Sequence, residues 1–380
     1  MKFRVLVFVC IFAVFLYCLA VSASQDPDAR PRRSTPSQPV PTATPTPAAT
    51  PKLTPGDRIA PTLGEPPPPP KLRPTPTPEP PQEIEPDSVV KVNTELVTLN
   101  VRVIDRNNRP IDNVKQSEFR VFEDGEAQPI EFFAKEEIPI NYGMAVDTSG
   151  SLRSQIQSVI DAAKIIVGSN KAGDETFIER FISSDNIEVL QDFTADKNMA
   201  LDALENLYIE GGQTAVIDGV YLAAEYVANY KKGDDSDRRR RALIVITDGE
   251  DRNSFYKPDQ LFARLREEDV QIYVIGFVNE LEKEAGFIRK SPREKAIDLL
   301  NRLATETGGR AFYPQSLSEL PQIANEIIRD LRTQYVLAYN PTNKARDGSY
   351  RAIKVSVTES GSSEKRIALT RSGRLAPKGE

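Results

Sequence analysis

The 380-residue chain contains no histidine and no tryptophan, and it has two cysteines. Without histidine it cannot build a Ser–His–Asp or Cys–His catalytic centre, nor ligate zinc or haem through imidazole. Both cysteines, Cys10 and Cys18, lie in an apolar N-terminal stretch. If that stretch is removed, the remaining chain has no thiol and can form neither a disulfide nor an iron–sulfur cluster.

Positive charge is also in short supply, because 49 basic residues face 55 acidic ones and the formal net charge is −6. This balance argues against nucleic acid as a partner, since nucleic-acid binding depends on clustered positive charge. The chemistry that remains is that of oxygen, in carboxylates, hydroxyls and backbone carbonyls. These are the ligands of hard cations such as Mg2+ and Ca2+.

The N-terminus predicts export. Lys2 and Arg4 precede the apolar run Val5–Val21, and small residues lead up to Ala23. This pattern is typical of a signal peptide at residues 1–23, cleaved after Ala23. The alternative is an uncleaved anchor, which would be the protein's contact with a membrane. We therefore expect a periplasmic, cell-surface or extracellular protein.

Proline dominates residues 24–87. Twenty-one of the 30 prolines lie between Pro27 and Pro86. Such a segment buries little apolar area and favours extended, polyproline-like conformations, so it is predicted to be a disordered linker. The rest of the chain is long enough for one large domain or two small ones.

The regions at both ends of the remaining chain have strand periodicity. Residues 88–139 alternate with period two and predict an N-terminal antiparallel β module, with strand candidates at Val92–Ile104, Phe119–Glu123 and Ile130–Phe133. Residues 333–372 again show β patterns. We expect these C-terminal strands to pair with the N-terminal module, so that the two segments form one sandwich-like module.

Between them, residues 140–332 alternate strands with helices. Strand candidates are Tyr142–Val146, Phe177–Ile182, Val189–Phe193, Ala242–Thr247, Gln271–Phe277 and Arg310–Tyr313. Apolar stripes at helical spacing lie around residues 156–167, 215–227, 299–304 and 320–331. The predicted fold class is therefore α/β: a doubly wound, mostly parallel sheet with helices on both faces, flanked by antiparallel β segments.

Oxygen-bearing side chains follow the first and fourth strands of this region. Asp147, Ser149 and Ser151 come directly after the first strand, and Asp248 follows the fourth. In a doubly wound sheet these two strands are neighbours at the switch point, so Asp147 and Asp248 are predicted to face one crevice. A third loop, with two glycines before Thr214, opens a helix and offers a further hydroxyl.

These residues resemble the metal-ion-dependent adhesion site (MIDAS) of von Willebrand factor A domains. The family pattern is D-x-S-x-S on the first loop, a Thr on the second and an Asp on the third, and it is met by Asp147, Ser149, Ser151, Thr214 and Asp248. The whole layout is similar to the bacterial von Willebrand factor A-related proteins of the Acidobacteria type. The resemblance implies a von Willebrand factor A domain at residues 140–332.

The resemblance further implies a divalent cation held by these five side chains, Mg2+ with Ca2+ or Mn2+ as alternatives. One coordination position would remain open for an Asp or Glu carboxylate of a protein ligand. The chain would then be a non-enzymatic binding protein. Two other functions stay open: a metal-dependent hydrolase or phosphatase using the same Asp cluster, and a structural envelope module whose metal stabilises the fold. The sequence has no G-x-x-x-x-G-K-[ST] loop and no G-x-S-x-G elbow, which disfavours an enzyme.

For several single residues, the sequence also allows roles other than metal ligation. Ser149 or Ser151 could cap a helix without binding metal. Asp218, Glu250 and Asp251 lie near the predicted site in sequence and could be ligands or simply solvated charges. The positions of these side chains in the structure distinguish metal ligation from these alternatives.

Overall fold

The computed structural model describes residues 33–34, 96–135, 138–230, 239–282, 284, 290–358 and 365–379. All of them belong to one compact unit. The predicted signal peptide and, apart from residues 33–34, the proline-rich segment lie outside the described residues. No helix in the described ranges is long and apolar enough to cross a membrane.

A seven-stranded sheet organises the α/β region. Its strands are β1 (Arg33–Ser34), β6 (Ile140–Asp147), β7 (Glu175–Ser183), β8 (Asn186–Thr194), β9 (Arg240–Thr247), β10 (Gln271–Gly276) and β11 (Arg310–Phe312). The order is β1-β8-β7-β6-β9-β10-β11, and every neighbouring pair is parallel except β7 and β8. Strands β6 and β9 are neighbours, as predicted for the first and fourth strands, so the chain reverses its direction of travel across the sheet at β6.

Helices cover both faces of this sheet. They are α1 (Ile156–Gly168), α2 (Lys197–Glu205), α3 (Val216–Asn229), α4 (Pro258–Glu267), α5 (Pro292–Thr307) and α6 (Leu320–Arg332). One apolar core lies under α1, α2 and α6, and a second lies under α3, α4 and α5. The sequence analysis missed α2, since this short helix buries few side chains and leaves Met199 half exposed.

Local sequence signals fix where these helices begin and end. Pro258 and Pro292 occupy first-turn positions, where a missing N–H costs no hydrogen bond. Ser291 caps α5 by accepting from the backbone N–H of Glu294. Gly308 ends α5 with a φ of 79°, a left-handed conformation that favours glycine.

The remaining strands form a β-sandwich from both ends of the chain. One sheet has the order β14-β2-β12-β5 and the other β15-β13-β3-β4. The strands are β2 (Val97–Ile104), β3 (Phe119–Glu123), β4 (Glu126–Gln128), β5 (Phe132–Ala134), β12 (Tyr335–Tyr339), β13 (Tyr350–Val357), β14 (Ile367–Leu369) and β15 (Gly373–Leu375). Both sheets contribute to one apolar core. The predicted fold class, including the pairing of the two flanks, is confirmed.

The predicted strand at Ile130–Phe133 overlaps β5, which begins later, at Phe132, and the sequence analysis missed the short strand β4. A hairpin joins β3 to β4 through Asp124 and Gly125, whose φ angles are 51° and 88°. Pro129 lacks a backbone N–H and separates β4 from β5, which belong to different sheets. The chain thus changes sheet between β4 and β5, at the start of the predicted strand.

The sandwich is attached at the amino ends of the central strands. Arg102 on β2 forms a buried ion pair with Asp330 on α6. Arg240, at the start of β9, donates to the carbonyls of Leu331 (2.7 Å) and Gln334 (2.9 Å), where α6 passes into the sandwich. The carboxyl ends of β6 and β9 lie at the other edge of the sheet, so the sandwich leaves that edge open.

Candidate metal centre

Three loops meet at the carboxyl edge of the sheet. The first follows β6, the second leads into α3, and the third follows β9. The backbone N–H of Glu210, before the second loop, donates to the carbonyl of Thr148 on the first (2.9 Å). The carbonyl of Thr214 on the second loop accepts from the backbone N–H of Arg252 on the third (2.9 Å). These hydrogen bonds hold the loops at fixed positions relative to one another.

Asp147 is the last residue of β6, and none of its surface is exposed. One carboxylate oxygen accepts from the backbone N–H of Ser149 (2.9 Å), and the other accepts from the hydroxyl of Thr247 (2.7 Å). Thr247 is the last residue of the neighbouring strand β9. The orientation of the Asp147 carboxylate is therefore set from two strands.

The two serines link this carboxylate to that of Asp248. The Ser149 hydroxyl hydrogen-bonds the Asp147 carboxylate, and it lies 2.9 Å from the hydroxyl of Ser151. The Ser151 hydroxyl in turn hydrogen-bonds Asp248. Four of the five predicted ligands therefore form one continuous set of contacts.

Thr214, the fifth predicted ligand, is buried, and its backbone carbonyl contacts the third loop rather than the other four side chains. It does not cap α3, because the residue at the N-cap position is Ala215. The Thr214 hydroxyl is therefore not used to cap this helix. Its loop is nevertheless bound to the Asp248 loop by the hydrogen bond from Arg252.

Burial and like charge both raise the pKa values of the two carboxyl groups. Burial is the main cause at Asp147, the charge of Asp248 adds to it, and together they raise the pKa of Asp147 to about 6. Burial likewise raises the pKa of Asp248, although its hydrogen bonds act in the opposite direction. Two carboxylates that share a dry site without a cation repel each other and resist ionisation.

The residues present fit a hard divalent cation. Within the described ranges, no lysine or arginine forms an ion pair with Asp147. The donors are all oxygen atoms, two carboxylates with serine and threonine hydroxyls, which suit Mg2+ or Ca2+ better than a metal that prefers nitrogen or sulfur. No group of three or more His, Cys, Asp or Glu side chains in the described part of the chain could hold a metal ion, so hydroxyls are needed to complete this site.

The structure assigns other roles to the nearby acidic residues. The carboxylate of Asp218 accepts from the backbone N–H groups of Phe255 (2.7 Å) and Tyr256 (2.9 Å). Asp251 accepts from the backbone N–H of Ile217 at the start of α3 (3.1 Å). Both carboxylates hold the third loop against α3, which favours a structural role over metal ligation.

The helix-capping alternative for the serines is also disfavoured. Ser149 precedes a short 3-10 turn, Gly150–Leu152, and its side chain makes no capping hydrogen bond. The N-cap position of α1 is held by Gln155, well past both serines. The two hydroxyls therefore hydrogen-bond to each other and to the carboxylates rather than to backbone groups at a helix end.

Sequence reasoning missed Thr247 as a residue of this site. Its hydroxyl donates to Asp147 and accepts from the backbone N–H of Gly249 (3.0 Å), so it aligns the first and third loops. The register of the two strands explains the contact: Val146 on β6 pairs with Ile246 on β9, which places the next residues, Asp147 and Thr247, opposite each other.

The site opens to solvent through a crevice of about 290 Å³. We call it the metal crevice; among its lining residues are Ser151, Asp248, Glu250, Arg252, Glu280 and Glu282. Glu250 and Arg252 form an ion pair at its rim (2.7 Å). A group from another molecule can therefore approach Ser151 and Asp248 directly, through a rim that is mainly acidic.

Residues 144–326 match the family described as the von Willebrand factor type A domain. This part of the chain is a von Willebrand factor type A domain. The match spans β6 to α6 and contains all five predicted ligand positions. Domains of this family commonly bind a divalent metal at a MIDAS and often mediate protein interactions. No curated protein matches the chain in sequence.

Solved structures of similar fold include two bacterial proteins. BatB from Bacteroides thetaiotaomicron is 20% identical, with 50% of this chain and 98% of that chain covered and a TM-score of 0.38. A von Willebrand factor type A protein from Catenulispora acidiphila is 11% identical, with 73% and 74% covered and a TM-score of 0.42.

A third structure comes from the mussel byssus. Proximal thread matrix protein 1, with a zinc-occupied MIDAS motif, is 19% identical to the chain, with a TM-score of 0.40. The alignment covers 55% of this chain and 50% of the mussel protein, so the chain spans half of that protein's length.

Proposed function

We propose that this protein binds a protein ligand through a divalent cation, Mg2+ in the first instance, at its von Willebrand factor type A domain. The observation that carries the proposal is the contact set from Asp147 through Ser149 and Ser151 to Asp248. It gathers two buried carboxylates and two hydroxyls at the open edge of the sheet. A carboxylate of the partner, from Asp or Glu, would complete the site.

Each side chain has a distinct part in this function. Asp147, fixed by Thr247, supplies a carboxylate that has no basic ion-pair partner among the described residues. Asp248 supplies the second negative charge, while Ser149, Ser151 and Thr214 add neutral oxygens. A bound Mg2+ would supply an electrophilic position for an incoming carboxylate. With only two carboxylates around it, the ion would keep enough positive charge to attract a third.

We further propose that the protein is exported and acts without catalysing a reaction. Export is supported by the basic residues, apolar run and small residues at positions 1–23. A non-enzymatic role is supported by the lack of any histidine or downstream cysteine that could serve as a base or nucleophile. Turnover of generic phosphoesters that depends on Mg2+ would contradict this part of the proposal.

Calorimetric titration with MgCl2 tests the cation site. We expect the intact protein to bind one Mg2+ per chain, and the variants Asp147→Asn and Asp248→Asn to lose at least tenfold in affinity, because each removes a charged ligand. Asp298→Asn is the matched control, since Asp298 forms an exposed ion pair with Lys290 elsewhere on the surface. Unchanged Mg2+ affinity in both site variants, with folding intact, would contradict the assignment.

A pull-down from envelope extract tests the ligand. The immobilised protein should retain one or more proteins in Mg2+ and release them in chelator. The Asp147→Asn variant should retain none of them in either condition. Proteins that the intact protein and the Asp147→Asn variant retain equally, in Mg2+ and in chelator alike, would not be ligands of this site.

A further inference from the structure

A second cavity opens directly beside the metal crevice. Its volume is about 260 Å³, and we call it the side cavity. It shares three lining residues with the metal crevice, namely Gln155, Phe277 and Glu280. A ligand seated on the metal crevice therefore has immediate access to the side cavity.

The wall between the two cavities is a fixed polar contact. The Gln155 side-chain amide donates to the carboxylate of Glu280 (2.9 Å), and its carbonyl accepts from the hydroxyl of Ser154 (2.9 Å). Gln155 is 6% exposed, so this contact is part of the packed structure. The two cavities are thus separate compartments with a common border.

The wall of the side cavity opposite Gln155 is also fixed by hydrogen bonds within the chain. The Asn279 amide donates to the carbonyl of Pro314 (2.8 Å), and its carbonyl accepts from the guanidinium of Arg293 (3.0 Å). Ser316 caps the 3-10 turn that begins at Leu317. The loop that carries Pro314 and Leu317 is therefore held in place by hydrogen bonds from two directions.

The two compartments differ in chemistry. The metal crevice is lined by several carboxylates, whereas Glu280 on the border is the one charged residue among the described residues that line the side cavity. Apolar surface in the side cavity comes from Phe277, Pro314 and Leu317. Leu317 is 39% exposed, so its side chain offers accessible apolar surface to the cavity.

We propose that the side cavity binds an apolar side chain of the same ligand whose carboxylate reaches the metal crevice. The inference rests on the proposed function and adds the chemistry of the partner. The recognised element is a segment with an Asp or Glu and, a short fixed distance away, an uncharged large apolar residue. An acidic residue at the second position is disfavoured by Glu280. A basic residue that pairs with Glu280 is the competing occupant, and enrichment of Lys or Arg at that spacing would contradict the inference.

The test is selection of peptides on the intact protein. A phage-displayed random dodecapeptide library is bound in MgCl2 and eluted with EDTA. We expect the eluted peptides to be enriched in Asp or Glu together with Leu, Ile, Met or Phe at one fixed short spacing. On the Leu317→Ser variant, the acidic enrichment should persist while the apolar preference at that spacing is lost. Met199→Ser, a change at a similarly exposed apolar residue on α2, should leave both preferences intact.

A synthetic peptide from the selection gives the quantitative test. Replacing its apolar residue by Ser should weaken binding to the intact protein about tenfold, as expected for the loss of one buried apolar side chain. The same replacement should have little further effect on the Leu317→Ser variant, because the two changes remove one contact. Equal weakening on both proteins would contradict the inference.

The outcomes separate the two proposals. Peptides that elute with EDTA and carry an acidic residue without any apolar preference would overturn the side-cavity inference and leave the proposed function standing. Selection that yields no acidic, EDTA-eluted peptides from the intact protein would overturn both.

Discussion

Two buried carboxylates lie at opposite ends of strand β6, and they differ in their hydrogen-bond donors and in the charges beside them. At the amino end, Asp174 accepts from the backbone N–H groups of Ile140 (2.9 Å) and Lys171 (2.7 Å) and pairs with Arg332. At the carboxyl end, Asp147 accepts hydrogen bonds from neutral donors of Ser149 and Thr247, and the like charge of Asp248 lies nearby.

The pKa values follow this difference. The hydrogen bonds and charge of Arg332, with the two backbone donors, outweigh burial and lower the pKa of Asp174. Burial and Asp248 raise the pKa of Asp147 to about 6. The first carboxylate is complete within the chain and stabilises the fold; the second is in an environment that favours a cation from outside. Five experiments can break or sharpen this contrast.

The largest effect is expected when the Asp174 pair is broken. Arg332→Met leaves a buried carboxylate without its cation, so we expect the free energy of unfolding to fall by about 3 kcal/mol. Urea unfolding at pH 7 in EDTA measures this value. The control is Arg329→Met, an exposed arginine on the same helix, which should change stability by less than about 0.5 kcal/mol. Equal effects of the two changes would show that Asp174 does not depend on Arg332.

At the other end of the strand, removal of the carboxylate charge is expected to increase the free energy of unfolding. Asp147→Asn removes a charge that is costly to bury, so in EDTA at pH 7 the variant should be more stable than the parent by about 2 kcal/mol. The same urea unfolding experiment measures it. A loss of stability as large as that of Arg332→Met would mean that the two carboxylates play the same structural role.

Added Mg2+ should stabilise the parent protein and leave the Asp147→Asn variant almost unchanged. At a concentration 100 times the dissociation constant, ligand binding to the folded state contributes about 2.7 kcal/mol. Thermal unfolding with and without MgCl2 measures the shift. A similar shift in both proteins would place the bound ion elsewhere.

A smaller effect is expected from pH in the absence of metal. Between the unfolded pKa of Asp, about 4, and the folded value of about 6, the native state holds the extra proton, so stability falls as pH rises. From pH 5 to pH 7 this group alone should lower the free energy of unfolding by about 1 kcal/mol. The Asp147→Asn variant should show a flatter profile over the same range.

Asp174 should behave in the opposite sense, at lower pH. Because its folded pKa is lowered, its stabilising contribution is present above about pH 4 and is lost as pH falls through the folded value. Stability of Arg332→Met should therefore depend less on pH in the acidic range than that of the parent. A parallel profile would contradict the ion-pair explanation.

The sequence was informative where a local pattern determines a structure. The apolar run before Asp248 and the two glycines before Thr214 predicted the strand and helix that place these residues. Which strands are neighbours follows from the general topology of doubly wound sheets, so the meeting of Asp147 and Asp248 was also predictable.

The parts that were missed depend on contacts between distant segments. The roles of Thr247 and Asp251 follow from the register of β6 against β9 and from the position of α3, which no local pattern encodes. The border between Gln155 and Glu280 joins residues far apart in the chain. Such contacts become visible once the loops have been assembled.

The route of the chain through the sandwich has a consequence for how the protein folds. Val101 on β2 pairs with Tyr335 on β12, and Val121 on β3 pairs with Val355 on β13, with the whole α/β region between them. Pairings this far apart in sequence form slowly, because a long loop must close first. During synthesis β3 can pair with β4 at once, but the partners of β2 and β5 among the described residues, β12 and β14, emerge only after the α/β region. A chain that stops after Arg332 would leave the edges of β2 and β5 open and prone to aggregation.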